Sequence, residues 1–158
     1  MRRAARAIVL NGDKLLVMRR NKFGHEYYTL IGGEVEIGEE PDQTVIREVK
    51  EETGLDVGNP KLVFIGQAGD MYGDQYVYLC EYTGGEPVLS PDSVEAAIMK
   101  DGKNLYTPMW LSQADFAASA FLSKELKAHM LEALETGFPA EPETFRSTAE
   151  ISYTEQDK

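Results

Sequence analysis

Residues 32–56 read GGEVEIGEEPDQTVIREVKEETGLD, a stretch that passes from paired glycines into a run with helical periodicity. Apolar residues of that run fall one and four positions apart, at Val45, Ile46 and Val49. Pro41 suits the first turn of a helix, and Gly54 is a natural C-terminal stop. We therefore predict a helix over residues 41–53, with Asp42 capping or beginning it.

The same stretch carries most of the negative charge of the chain. Residues 33–56 contain nine acids and two bases, a net of -7 out of a total of -11. On the predicted helix, Glu51 and Glu52 follow Glu48 by three and four residues, so the three carboxylates share one surface. Most charge runs are solvated helix faces. Here a metal site is the sharper interpretation, because hard cations such as Mg²⁺ prefer carboxylate oxygens and leave room for substrate phosphates.

The fixed residues of this stretch resemble the signature of the Nudix hydrolase family, G-x5-E-x7-R-E-U-x-E-E-x-G-U, where U is a bulky aliphatic residue. The match runs from Gly33 through Glu39 to Arg47-Glu48-Val49-Lys50-Glu51-Glu52-Thr53-Gly54-Leu55. The resemblance implies an α/β fold, a Nudix-type α/β/α sandwich with a mixed β-sheet. It also implies that metal-activated water, with Mg²⁺ or Mn²⁺, cleaves a diphosphate linkage. The substrate would be a nucleoside triphosphate, a dinucleoside polyphosphate or a nucleotide sugar.

The resemblance also implies roles for individual residues. Three residues resemble the metal ligands of the family: Glu48, Glu51 and Glu52. In some members the equivalent of Glu48 serves instead as the base for the attacking water, and the carbonyl of Gly32 resembles a further ligand. Arg47 and Glu39 resemble the pair that orients this cluster. Ile31 stands where many members have proline, which leaves the entry to the loop less constrained.

The sequence signals for residues that select the substrate are weaker than those for the metal ligands. Tyr28 could stack on a base, as an aromatic residue near this position does in relatives, or pack in the core. Arg19 and Arg20 could contact phosphates or form a solvated strand end. Tyr72 lies in the range where relatives that cleave dinucleoside polyphosphates carry a tyrosine.

A late carboxylate could complete the site as a base or a ligand. Three acids occupy the ambiguous stretch 87–103: Asp92, Glu95 and Asp101. We favour Glu95, because its longer side chain reaches further. His25 and His129 form no credible metal or nucleophile constellation.

The flanking segments predict the sheet. Strands over 3–10 and 14–19 form a hairpin around Asn11-Gly12-Asp13, a strong turn signal. Further predicted elements are extended segments at 25–31, 61–67, 75–82 and 104–111, followed by a closing amphipathic helix at 120–134. Strands on both sides of a helix favour a mixed sheet covered by helices. We assign residues 1–137 to one Nudix hydrolase domain and 138–158 to an acidic Pro/Glu-rich C-terminal tail, extended or frayed.

Composition narrows the partners. The net charge of -11 argues against binding to duplex nucleic acid, because that affinity comes mainly from Lys and Arg. No apolar run approaches the ~20 residues of a membrane helix, so we expect no membrane partner and a cytoplasmic location. The single Cys80 excludes an intramolecular disulfide and is expected to be a small buried hydrophobe.

Two functions follow from these observations. The favoured one is a hydrolase with a nucleotide-like small-molecule substrate. The alternative is a nucleotide-sensing module that binds without turnover, which loss of Glu51 or Glu52 would have favoured. Many relatives are dimers, and the N-terminal strand or closing helix could supply a homodimer interface.

Overall fold

A computed structural model of the chain describes residues 2–69, 73–148 and 151–152. The strands are β1 (Arg3–Asn11), β2 (Lys14–Lys22), β3 (His25–Thr29), β4 (Ile31–Glu34), β5 (Val57–Gln67), β6 (Asp74–Tyr82), β7 (Asn104–Ser112), β8 (Phe121–Leu122), β9 (Glu143–Arg146) and β10 (Ile151–Ser152). The helices are α1 (Pro41–Thr53), α2 (Val94–Ile98), α3 (Gln113–Ala118) and α4 (Lys124–Thr136), with a 3-10 turn at Met99–Asp101. In the described residues, none of the helices is long and apolar enough to cross a membrane.

The strands form a mixed, curled sheet built around the β1–β2 hairpin. Its order is β10-β8-β3-β2-β1-β6-β5-β9, with β4 paired to β1 and β7 paired to β2. The pairs β1–β6, β5–β9 and β3–β8 are parallel, whereas β2 pairs antiparallel with β1, β3 and β7. The predicted hairpin and mixed sheet are confirmed.

Helices cover both faces of this sheet. On one face α1 packs Val45 and Val49 against Ala5, Ala7 and other small residues of β1. The opposite core contains Ile8 and Phe64 from strands, with side chains from α3 and α4, namely Phe116, Leu126 and Met130. Alternate residues of β1 therefore serve different cores, as the period of a strand requires. The α/β/α arrangement expected from the sequence is confirmed.

Local capping explains where the helices begin and end. The predicted helix over 41–53 is confirmed at both ends, with a capping box between Glu40 and Gln43 and with Gly54 in the left-handed conformation at φ 77°. Asp42 lies in the first turn, where its charge favours the helix N-terminus, and Glu40 occupies the cap.

Two helical segments differ from the sequence prediction. The predicted start of the helix over 120–134 was wrong, because Phe121–Leu122 form the strand β8. The helix α4 begins after Ser123, which caps it by accepting from the Leu126 N–H at 3.3 Å. The short helix α3 was not predicted, although Ser112 caps it by accepting from the Asp115 N–H at 3.1 Å.

Part of the predicted tail joins the sheet. Residues Glu143–Arg146 form β9 alongside the edge of β5, in a register that places Glu143 beside Phe64. Between residues 143 and 148 the chain is thus extended and packed rather than frayed. The domain boundary at residue 137 stays a prediction.

Candidate active site

Arg47 and Glu39 form a two-point ion pair at the beginning of the acidic helix surface. Arg47 Nε and Nη2 donate to the two carboxylate oxygens of Glu39 at 2.7 and 3.0 Å. Glu39 also accepts from the Thr44 hydroxyl at 2.6 Å and from the Glu36 N–H at 3.2 Å. The Arg47 contact, with these further bonds, lowers the pKa of Glu39 to about 2. Glu39 is therefore a fixed anion that orients the guanidinium.

The same guanidinium holds two of the three candidate metal ligands. Arg47 Nη1 lies 3.0 Å from Glu48 Oε1 and 3.2 Å from Glu51 Oε2. Glu48 is mostly buried, whereas about half of the Glu51 side chain is exposed. Arg47 thus links the Glu39 anchor to the carboxylates that follow it on α1.

Glu52 is the buried member of the cluster. It is 6% exposed, and its Oε2 has no hydrogen-bond partner among the described residues. Burial raises the pKa of Glu52, and repulsion by Glu48, a hydrogen bond with Glu48 and repulsion by Glu95 act in the same direction; Arg6 opposes them. An ionised carboxylate in this position requires a cation beside it.

The glycines of β4 allow the backbone to approach the cluster. A Cβ on Gly33 would lie 2.5 Å from Glu48 Oε1. A Cβ on Gly32 would overlap the carbonyl oxygen of Ala5 on β1. The backbone of β1 therefore excludes a side chain at Gly32, whereas a side chain at Gly33 would displace the Glu48 carboxylate. Ile31, which precedes the two glycines, is fully buried in the core beneath α1.

The predicted ligands converge in part. In the described part of the chain, no three carboxylate, imidazole or thiol groups stand ready to hold a metal ion. Glu48 and Glu51 face Arg47, and Glu52 faces Glu48. The residues nevertheless fit a hard divalent cation, because the donors are carboxylate oxygens and one buried oxygen of Glu52 lacks a partner.

Arg6 connects the cluster to a cavity that the sequence did not reveal. It is near enough to Glu52 and Glu48 for both to counteract the lowering of its pKa by burial. Its Nη1 lies 3.4 Å from the Leu30 carbonyl, and its Nε lies 3.5 Å from Gln75 Oε1. These long contacts leave the guanidinium weakly held. The sequence signal that could have indicated this position is Arg6 itself, a charged residue inside the apolar run of β1.

The cavity next to Arg6 has a volume of about 180 Å³. Its large apolar lining residues come from four elements and the residue before β4: Leu30, Val77, Leu122, Leu126 and Phe145. Its polar lining includes Arg6, Gln75, Ser123, Ser147 and Thr148. A mostly apolar hollow with a few polar groups beside a charged cluster is the usual form of a small-molecule site.

Two of the residues predicted to select the substrate lie away from this cavity, and the third lies outside the described residues. Tyr28 packs against the core that contains Phe121. Arg19 donates to Glu26 at 2.8 Å on the exposed side of the β2–β3 pair. Neither residue lines the described cavity. Tyr72 lies outside the described residues.

Three other residues considered in the sequence analysis pack against neighbouring side chains or in the core: Arg20, Cys80 and His129. The Arg20 guanidinium stacks 3.7 Å from the ring centroid of Tyr106. Cys80 is buried as expected, and burial raises the pKa of its thiol to about 12. His129 stacks on Phe145 with ring centroids 4.6 Å apart.

Among the late carboxylates that the structure describes, Glu95 acts on the cluster. Glu95 lies in the first turn of α2, and its charge contributes to the raised pKa of Glu52. Asp92 precedes α2, with its N–H donating to Ser90 Oγ at 3.3 Å. The side chain of Asp101 lies outside what the structure describes.

An acidic helix packed on a mixed sheet, with its carboxylates anchored by an Arg–Glu pair, defines a Nudix-type fold. The family profile described as NUDIX domain matches residues 1–133, and the chain belongs to the Nudix family. The sequence resemblance is thereby confirmed. Hydrolases of this family generally use divalent metal ions.

The sequence relatives cover one region of the chain. The NAD-capped RNA hydrolase NudC of Stutzerimonas stutzeri (strain A1501) is 37% identical over 92 residues, which are 57% of this chain and 33% of that protein. NudC of Pseudomonas aeruginosa (strain LESB58) is 36% identical over 92 residues, 57% of this chain and 32% of that protein. The chain therefore spans about a third of the length of these relatives.

Solved structures resemble the whole fold at low identity. An ADP-ribose pyrophosphatase from Streptococcus suis 89-1591 has a TM-score of 0.62 at 23% identity, covering 92% of this chain and 98% of that one. A MutT protein from Bacillus halodurans has a TM-score of 0.61 at 22% identity, covering 96% and 94%. These likenesses establish the Nudix fold for the chain.

Proposed function

We propose that the chain is a pyrophosphohydrolase that cleaves a diphosphate linkage in a nucleotide-like small molecule with the help of Mg²⁺ or Mn²⁺. The observation that carries this proposal is the buried Glu52 carboxylate, which has an unpartnered oxygen beside Glu48 in a complete family signature. Buried carboxylates of this kind destabilise a fold unless they bind a proton or a cation. Their retention favours a site that binds a cation.

We assign the metal to Glu48, Glu51 and Glu52 with the Gly32 carbonyl. A bound cation would neutralise the diphosphate and supply activated water. Arg47 and Glu39 serve as positioning residues. Glu39 fixes the guanidinium of Arg47, and one nitrogen of that guanidinium, Nη1, contacts both Glu48 and Glu51. Glu48 is a ligand or a base for the attacking water.

Glu95 is our candidate for the late carboxylate. Its charge acts on Glu52 across the space between α1 and α2. Glu95 also lies on a short helix without buried residues, so α2 has few packing contacts to fix it in place. This favours a carboxylate that adjusts its position when substrate binds.

The substrate is proposed to lie with its diphosphate at the cluster and one attached group in the cavity beside Arg6. Arg6 carries the positive charge that suits a phosphate oxygen or a polar base edge. The names of the relatives and structural neighbours include NAD-capped RNA and ADP-ribose. Each of these compounds contains two groups joined by a diphosphate. Nucleoside triphosphates, dinucleoside polyphosphates and nucleotide sugars form the substrate class. A cytoplasmic location and a homodimer stay predictions from the sequence.

The test is product release from a substrate panel. Nucleoside triphosphates, dinucleoside polyphosphates, ADP-ribose, nucleotide sugars and NAD are incubated with and without Mg²⁺ or Mn²⁺, and products are separated by anion exchange. We expect metal-dependent cleavage of one class. The Glu52→Gln variant should lose more than about a hundredfold in kcat while remaining folded. An unchanged rate in that variant would remove Glu52 from the mechanism.

The sensing alternative gives a different pattern. A module that binds without turnover would show nucleotide binding in equilibrium dialysis and no product from any panel member. That result, with metal bound, would overturn the hydrolase proposal.

A further inference from the structure

The segment that follows the matched family region contributes a wall of the cavity. The family profile ends at residue 133, whereas β9 begins at Glu143. Three residues of this later segment line the cavity: Phe145, Ser147 and Thr148. The wall is therefore built from sequence outside the part of the chain that the family profile matches.

Several contacts hold this wall in position. β9 pairs with β5, and the Ser147 N–H donates to the Gln67 carbonyl at 2.9 Å beyond the last pair. Ser147 Oγ lies 2.8 Å from Ser123 Oγ at the cap of α4. The Thr148 N–H donates to Glu125 Oε1 at 2.9 Å. The segment is thus tied both to the sheet edge and to the beginning of α4.

Phe145 is the central side chain of the wall. Its ring stacks on His129 and meets Phe64 edge-on, with ring centroids 4.6 and 6.5 Å apart. On the neighbouring strand, Gly66 makes room for this ring, since a Cβ there would lie 3.0 Å from the Phe145 Cζ. The ring therefore sits between an aromatic cluster and the cavity.

The dimensions of the cavity indicate what it takes. A cavity of about 150 Å³ accommodates benzene in an engineered protein core, and this one measures about 180 Å³. One flat ring system fits, with Arg6 and Gln75 in the polar part of the lining. A nucleobase has this size and chemistry.

We propose that residues 145–148 are specificity-determining: they select the base of the substrate, whereas the carboxylate cluster on α1 performs the cleavage. This inference rests on the proposed hydrolase function. It assigns base selection to the packed C-terminal segment rather than to Tyr28 or Arg19, the candidates taken from the sequence.

The experiment compares substrates that share a phosphate chain and differ in the base, such as ATP with UTP or ADP-glucose with UDP-glucose. The pair is chosen from the class that the wild type hydrolyses. Phe145→Ala enlarges the cavity, and we expect the purine-to-pyrimidine ratio of kcat/KM to change by about tenfold or more. The change should lie in KM, with kcat on the better substrate within about threefold.

A second variant moves the same wall from another strand. Gly66→Ala adds a methyl group to the cavity lining and against the Phe145 ring, with the sequence of the C-terminal segment unchanged, and we expect it to shift the same ratio. Thr144→Ala is the matched control, because Thr144 is an exposed residue of β9 that does not line the cavity. It should leave the ratio unchanged. Ser147→Ala removes a single hydroxyl from the cavity wall. If Phe145→Ala fails to fold, the same ratio is measured in this variant.

Each outcome has one meaning. A base ratio that stays within about twofold of wild type in the folded Phe145, Gly66 and Ser147 variants overturns the inference. Equal losses of kcat on every substrate, with constant KM, assign the segment a purely structural role and overturn it as well. A wild-type protein that cleaves no panel member contradicts the proposed function itself, and is thereby distinguished from failure of the inference.

Discussion

Replacing Glu39 with Gln should reduce the free energy of unfolding in a pH-dependent way. The substitution keeps the shape of the side chain and an oxygen that accepts hydrogen bonds, but it removes the charge that pairs with Arg47. Glu39 is 14% exposed and Arg47 is 24% exposed, so the pair is only partly screened by water. The expected loss therefore exceeds that of a surface ion pair.

The magnitude follows from the pKa of Glu39. A pKa lowered from 4.5 to about 2 corresponds to about 3 kcal/mol of stability at neutral pH, since each pKa unit is worth about 1.4 kcal/mol. Residual screening and the hydrogen bonds that Gln retains reduce the expected loss to about 2 kcal/mol. Because the folded-state pKa is the lower one, this stability is complete above the unfolded pKa of 4.5. It disappears as the pH falls towards 2.

Urea unfolding at pH 7, 5.5, 4 and 3.5 measures this difference directly. The gap between wild type and Glu39→Gln should be constant between pH 7 and 5.5 and clearly smaller at pH 3.5. Glu26→Gln is the matched control, because its 2.8 Å pair with Arg19 is about half exposed and should contribute less than about 1 kcal/mol. A gap of the same size at pH 3.5 as at pH 7, or none at pH 7, would refute the reasoning.

Three further predictions concern the site and the core. Gly33→Ala places a Cβ 2.5 Å from Glu48 Oε1, so the affinity for Mn²⁺ in equilibrium dialysis should fall by about tenfold or more; an unaltered affinity would contradict the prediction that displacing the Glu48 carboxylate weakens metal binding. Saturating Mg²⁺ should raise the melting temperature of the wild type and not that of Glu52→Gln, because a cation that binds only the folded site stabilises it by mass action; equal shifts would place the cation elsewhere. Burial raises the pKa of Cys80 to about 12, so a thiol reagent at pH 8 should label the native protein far more slowly than the urea-unfolded protein; equal rates would contradict the burial.

Sequence reasoning succeeded where the determinants are close together in the chain. The ends of α1 were predictable because Pro41 and Gly54 act on their own helix turns. The β1–β2 hairpin was predictable because Asn11-Gly12 turns the chain within a few residues. Glu48 directly follows Arg47 in the chain, so the contact between them is local as well.

The missed features depend on contacts that are distant in sequence. Arg6 meets the cavity because β1 pairs with β6 about 70 residues later, and no local pattern announces that pairing. β9 has one strongly apolar residue, Phe145, whose partners His129 and Phe64 come from other elements. The start of α4 was missed because an apolar run such as Phe121–Leu122 suits a strand and a helix equally.

The parallel pairing of β1 with β6 also affects how the chain is made. Arg3 pairs with Asp74, so β1 has no partner on that side until 71 further residues have been synthesised. At about 5–20 residues per second, this interval lasts roughly 4–14 s on the ribosome. During it, the small apolar residues of β1 present an open strand edge to other chains. Pairing of β1 with β6, rather than formation of the β1–β2 hairpin, should therefore limit the rate of folding. When many copies of the chain are synthesised close together, aggregation should begin at this open edge of β1.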